Sequence, residues 1–176
     1  MFKKTTLFAT FVIATLFTFT TIANSQGVSA SKGRSNAMVL EYNGDNYRAI
    51  KKIRDLINEG KYESAASRSI KIIKNSEANE RIGIDKSVIV IEAYNSLCVS
   101  STALRKVEYA LNACNNSLSY SPDHWESLKS RATLYFLTED YNNSLIDFQS
   151  ALENSPADNI SDVLKQNISV VRSKIN

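Results

Sequence analysis

The chain has 176 residues, 43% of them apolar, with 21 lysines and arginines against 18 acids and a net charge of +3. That length fits one domain with a continuous core, and five glycines with two prolines suit helices better than turn-rich sheet. A balance this close to neutral, without a clustered basic face, argues against nucleic acid as a partner. The motifs for a catalytic nucleophile, a zinc site or a glycine-rich phosphate loop are absent, which argues against an enzyme and against a bound cofactor.

Residues 1–30 are predicted to be a secretory signal peptide. Lys3 and Lys4 cap the apolar run LFATFVIATLFTFTTIA, and small residues follow. Cleavage fits after Ala23 or after Ala30, and the sequence does not choose. An uncleaved anchor is the rival reading, but the run is short and diluted by threonines against the roughly 20 residues that a span requires. Removal takes away two lysines and no acid, lowers the formal charge from +3 to +1, and leaves no stable membrane span. Residues 31–45, SKGRSNAMVLEYNGD, are polar and turn-rich and read as a flexible arm.

From residue 46 onward apolar residues recur at helical spacing. Ile50, Ile53, Leu56 and Ile57 share one face, Glu59-Gly60-Lys61 breaks the pattern, and Tyr62, Ala65, Ile72 and Ile73 resume it. About eleven residues, Glu80 to Val90, are inserted before the next unit. Either its first helix extends backwards or a loop forms beside Gly83; Asp85 offers a cap, which starts the helix near Lys86. Val88, Ile91, Tyr94, Leu97 and Cys98 then mark a helix, and its partner is predicted from about Lys106 to Ser119. Pro122 and Asp123 introduce a third unit, with Glu126 placed as the capping-box partner of Asp123. Trp125, Leu128, Ala132, Tyr135 and Phe136 form its first apolar face. Thr138-Glu139-Asp140 leaves room only for an antiparallel return, and Tyr141, Leu145, Phe148, Ala151 and Leu152 form the second face. Pro156 ends the unit 34 residues after Pro122. A last helix, capped by Asp158, sets Ile160, Val163, Leu164, Ile168 and Val171 against Asp162, Lys165, Gln166 and Arg172.

The stretch Trp125 to Pro156 resembles a tetratricopeptide repeat, a helical hairpin with a 34-residue period. The resemblance rests on Leu128, Ala132, Tyr135, Ser144, Phe148, Ala151 and Pro156, with Arg131 standing where the family has leucine. It extends more weakly to the unit beginning at Ile91, through Tyr94, Leu97, Cys98, Ala110, Cys114, Ser117 and Pro122. It implies an all-α solenoid of about three hairpins, at 46–79, 91–124 and 125–158, with a capping helix at 159–175. It also implies a protein or peptide partner held along the first helices. Tyr47, Ile50, Arg54, Val99, Lys129 and Phe136 are the candidate contacts, the apolar ones as anchors and the two cations as orienting groups.

Cys98 and Cys114 flank the middle turn at equal distances, so an antiparallel hairpin brings them to one level. A disulfide and a pair of merely small residues at a tight crossing both fit. His124, the one histidine, has no metal ligand at helical spacing and reads as a helix-start residue. The expected function is an exported, non-catalytic adaptor in a bacterial cell envelope, periplasmic or secreted. The alternatives are a self-associating structural or assembly protein and the regulatory subunit of an envelope enzyme.

Overall fold

In the computed structural model, residues 44–79 and 87–175 are described, and they form seven α-helices with no strand among them. These are α1 (Gly44–Asn58), α2 (Tyr62–Asn79), α3 (Ser87–Ala103), α4 (Val107–Tyr120), α5 (Trp125–Leu137), α6 (Tyr141–Glu153) and α7 (Asp158–Ile175). The proposed signal peptide, most of the arm, Gly83 and Asp85 lie outside the described residues. None of the described helices is long and apolar enough to cross a membrane. The helices pair as α1 with α2, α3 with α4 and α5 with α6, each pair packs on the next, and α7 lies on α6. The fold is an all-α solenoid of three hairpins and a closing helix.

The same turn joins each pair. Gly60, Arg105 and Glu139 each adopt a positive φ, of 71°, 60° and 65°. The next amide reaches back five residues in every case: Lys61 N–H to Leu56 C=O at 2.8 Å, Lys106 to Ser101 at 2.9 Å, and Asp140 to Tyr135 at 2.9 Å. This left-handed close satisfies carbonyls that a helix end otherwise leaves without a donor. The chain then reverses within three residues, so the second helix must pack antiparallel on the first.

Each hairpin hides its apolar face against its neighbours. Ile50, Ile53, Leu56, Ile57 and Ala65 of the first cluster with Val99 of the second. Ile73, Ala93, Leu97, Cys98, Ala110, Ala113 and Cys114 cluster with Leu134 of the third. Leu128, Ala132, Phe136, Phe148 and Ala151 close around Leu118 on one side and Leu164, Ile168 and Val171 of α7 on the other. Burial of this kind contributes about 25 cal/mol per Å² of apolar surface, and an isolated hairpin would have little of it. Across the hairpins, one first-helix site and one second-helix site hold Ile53 with Ser69, Cys98 with Cys114, and Ala132 with Phe148, and all six are fully buried. In the first and third hairpins a large residue on one helix is matched by a small one on the other, and in the middle hairpin two cysteines take both sites.

The helices start close to where the sequence places them. The first begins at Gly44, two residues ahead of position 46, and α3 begins at Ser87, beside the start expected near Lys86, so the second hairpin is extended backwards. The capping box at Asp123 and Glu126 does not form: His124 is the N-cap of α5 and makes no side-chain cap bond. The Ser121 hydroxyl donates to Asp123 Oδ1 at 2.8 Å, holding that carboxylate toward the turn, and Glu126 pairs with Arg54. Asp140 does cap α6, accepting from the Asn143 amide at 3.3 Å. Asp158 lies within the first turn of α7 rather than ahead of it.

Candidate partner-binding face

The first helices of the hairpins, α1, α3 and α5, lie side by side, and charged groups from all three meet on them. Arg54 Nη2 on α1 donates to Glu92 Oε2 on α3 at 2.9 Å and to Glu126 Oε2 on α5 at 2.8 Å. One guanidinium therefore spans three repeats. Burial, and next the charge of Glu126, pushes the Glu92 carboxyl above its usual range, against the opposing pull of Arg54 and His124. Beside them, burial pushes the Lys129 ammonium below its usual range, while Glu126 opposes the shift. Lys129 Nζ also stands 5.4 Å from the centroid of the Trp125 ring, one helical turn away, within cation–π range.

Of the six residues expected to contact a partner, the structure brings Arg54 and Lys129 together around Glu126 and leaves Tyr47 56% exposed near the start of α1. The other three are core. Ile50, Val99 and Phe136 retain 3%, 5% and 7% of their surface. Ile50 and Val99 pack on each other's hairpins, and Phe136 meets Tyr141 edge-on at 5.6 Å. Stacking claims these side chains, so they cannot anchor a ligand without repacking the core.

A polar seam runs beneath the charged row. Ser130 Oγ donates to Asn95 Oδ1 at 2.8 Å, joining α5 to α3. Ser117 Oγ donates to the Ile91 carbonyl at 2.9 Å and lies 2.7 Å from Ser127 Oγ, which is 2.7 Å from His124 Nδ1. His124 Nε2 faces Glu92 Oε1 at 3.9 Å. Glu92 lies 32 positions before His124, so no local spacing reveals this contact; only stacking the second hairpin on the third creates it.

Cys98 and Cys114 are joined in a disulfide, with Cα atoms 5.0 Å apart, between α3 and α4. Near the same turn a cavity of about 770 Å³ is lined by Ala66, Ile70, Leu104, Val107 and Tyr109, and by Ser101. The Ser101 hydroxyl is buried and has no hydrogen-bond partner among the described residues. Val107 and Tyr109 remain substantially exposed at the rim. Sequence reasoning missed this cavity because it lies between hairpins, at the rim of faces that each read as ordinary helix surface.

The chain matches no known family model. Over 119 residues it is 26% identical to DnaJ homolog subfamily C member 3 of Gallus gallus and of Bos taurus, and 24% identical to that of Homo sapiens. The match covers 64% of this chain and 22% of each relative, so the chain spans about a fifth of the length of the curated relatives it matches. Among solved structures, the crystal structure of the P58(IPK) TPR domain superposes with a TM-score of 0.60 at 19% identity, covering 74% of this chain and 34% of that one. The hairpins, their common turn and this superposition agree that the fold is that of a tetratricopeptide-repeat solenoid.

Proposed function

We propose that the chain is an exported, non-catalytic interaction module that holds a protein or peptide partner in a bacterial cell envelope. The observation that carries this reading is the row formed by Arg54, Glu92 and Glu126, which fixes three adjacent first helices into one polar surface. A surface assembled from several repeats is what a solenoid offers an extended ligand. Tyr47, exposed near the start of α1, offers a partner an aromatic edge. The basic cap and apolar run at the start of the chain support export, and a disulfide is the expected state of paired cysteines in an oxidising compartment.

A second placement of the partner is favoured by the cavity beside Tyr109. Its lining joins apolar side chains to Lys106, Glu108, Asn112 and the buried Ser101 hydroxyl, and suits a segment that brings an apolar side chain and a hydrogen-bonding group together. Both placements are tested by putting a photoreactive residue at position 47 and, separately, at position 109 in living cells. The reading expects one of the two to trap a single protein in the envelope fraction, identified by mass spectrometry. Adducts only between copies of this chain would favour self-association, and a chain retained in the cytoplasm would overturn export.

A further inference from the structure

We propose that Glu92, His124 and Glu126 form a binding site for a divalent transition-metal cation of the zinc class, at the junction of the second and third hairpins. Each residue offers a donor atom, and these atoms all lie within 4.8 Å of one another. One imidazole nitrogen and two carboxylate oxygens are a donor set that zinc, cobalt and nickel accept. A cation about 2.0–2.2 Å from each donor needs donor separations of roughly 3.3–3.6 Å. Closure of that size requires the two glutamate side chains to rotate toward His124.

The protons on the neighbouring serines decide which imidazole nitrogen faces the glutamates. The Ile91 carbonyl can only accept, so Ser117 spends its single hydroxyl proton there. The 2.7 Å contact between Ser117 and Ser127 must then use the proton of Ser127. Ser127 has none left for His124, so His124 Nδ1 carries a hydrogen and donates it to Ser127 Oγ at 2.7 Å. This relay, anchored on a backbone carbonyl and made of two fully buried serines, fixes both the tautomer and the ring orientation. Metal-ligating histidines are held in this way by a bond from the other ring nitrogen.

The consequence falls on Nε2. In the neutral tautomer it presents a lone pair to Glu92 Oε1 across 3.9 Å, acceptor against acceptor. A cation between them removes the conflict. Two cations already neighbour the glutamates. Arg54 from α1 bonds Oε2 of each, leaving their Oε1 atoms, and Lys129 from α5 feels the charges of both Glu126 and Arg54, with its Nζ 5.4 Å from the Trp125 ring centroid. Arg54 thereby acts as an outer-sphere positioning group, aligning the two carboxylates while the imidazole approaches from the third side.

The test is titration of the tag-free full chain with zinc chloride by calorimetry, and with cobalt chloride by visible absorption. The expected result is one saturable site per chain, with cobalt displaced by zinc. His124→Asn keeps a favoured N-cap residue at the start of α5 and is expected to abolish the saturable phase with the helical circular dichroism retained. Glu92→Gln is expected to weaken it as well, so the outcome does not rest on one variant. Ser127→Ala frees the tautomer without touching a ligand and is expected to weaken binding about tenfold. No saturable binding by the native chain would overturn the site. So would binding that survives His124→Asn and Glu92→Gln unchanged.

Discussion

At the scale of single residues, Arg131 shows most clearly how a departure from pattern is resolved. Leucine is expected there, yet Arg131 Nε and Nη2 fork onto Asp147 at 2.7 and 2.9 Å, and Nη1 reaches Asn115 Oδ1 at 2.8 Å. Asp147 is buried, so the pair ties α5 to α6 and both to α4. Arg131→Leu would strand that carboxylate, and the expected loss is about 3–5 kcal/mol in urea unfolding. Arg131→Leu combined with Asp147→Leu should recover most of it, since a buried ion pair adds little beyond what apolar packing supplies. A double variant as unstable as the single one would mean that the fork itself, rather than the need to neutralise Asp147, sets stability. The sequence marked position 131 as unusual but gave no partner, because Asp147 and Asn115 lie sixteen positions away in opposite directions along the chain. Burial was hard to read for the same reason. Ile50, Val99 and Phe136 sit at positions where a solenoid usually shows an open face, and their neighbours from the adjacent helices decide otherwise.

At the scale of elements, the turns carry the repeat more faithfully than the helices do. Gly60, Arg105 and Glu139 occupy the same place in their hairpins and share a left-handed backbone, although only the first is a glycine. For a side chain that conformation costs about 1–2 kcal/mol, partly offset by the freedom glycine has in the unfolded chain. Glu139→Gly is therefore expected to stabilise the protein by about 0.5–1 kcal/mol, and Arg105→Gly likewise, read as raised urea midpoints with unchanged slopes. Destabilisation by either would mean that the lost side chain matters more than the strain. In the middle hairpin the disulfide closes a loop with a sequence separation of 16, which constrains the unfolded chain by roughly 3 kcal/mol. Cys98→Ala with Cys114→Ala should lose about that amount together with a cavity cost, and reducing agent should lower the thermal midpoint of the native chain without affecting the double variant. The helical period located all seven described helices within a few residues. The insertion before Ile91 left helix and loop both open, yet α3 starts at Ser87, beside the start expected near Lys86.

At the scale of the whole molecule, fold class was legible because three levels agree: apolar spacing marks helices, short links force antiparallel pairs, and Pro122 and Pro156 set the pitch. The functional face was less legible, because its polar row is made entirely of contacts between hairpins. Arg54 lies 38 positions from Glu92 and 72 from Glu126, and no pattern within one helix encodes such a bridge. The function proposed for the solenoid depends on the three hairpins being one unit repeated, since only then do α1, α3 and α5 form a common wall. Backbone chemical shifts and amide exchange, measured together by NMR, test that most directly. The account predicts left-handed shifts at residues 60, 105 and 139 alike, with the amides of Lys61, Lys106 and Asp140 protected to a similar degree. A left-handed signature at Gly60 alone, with rapid exchange at Lys106 and Asp140, would contradict it.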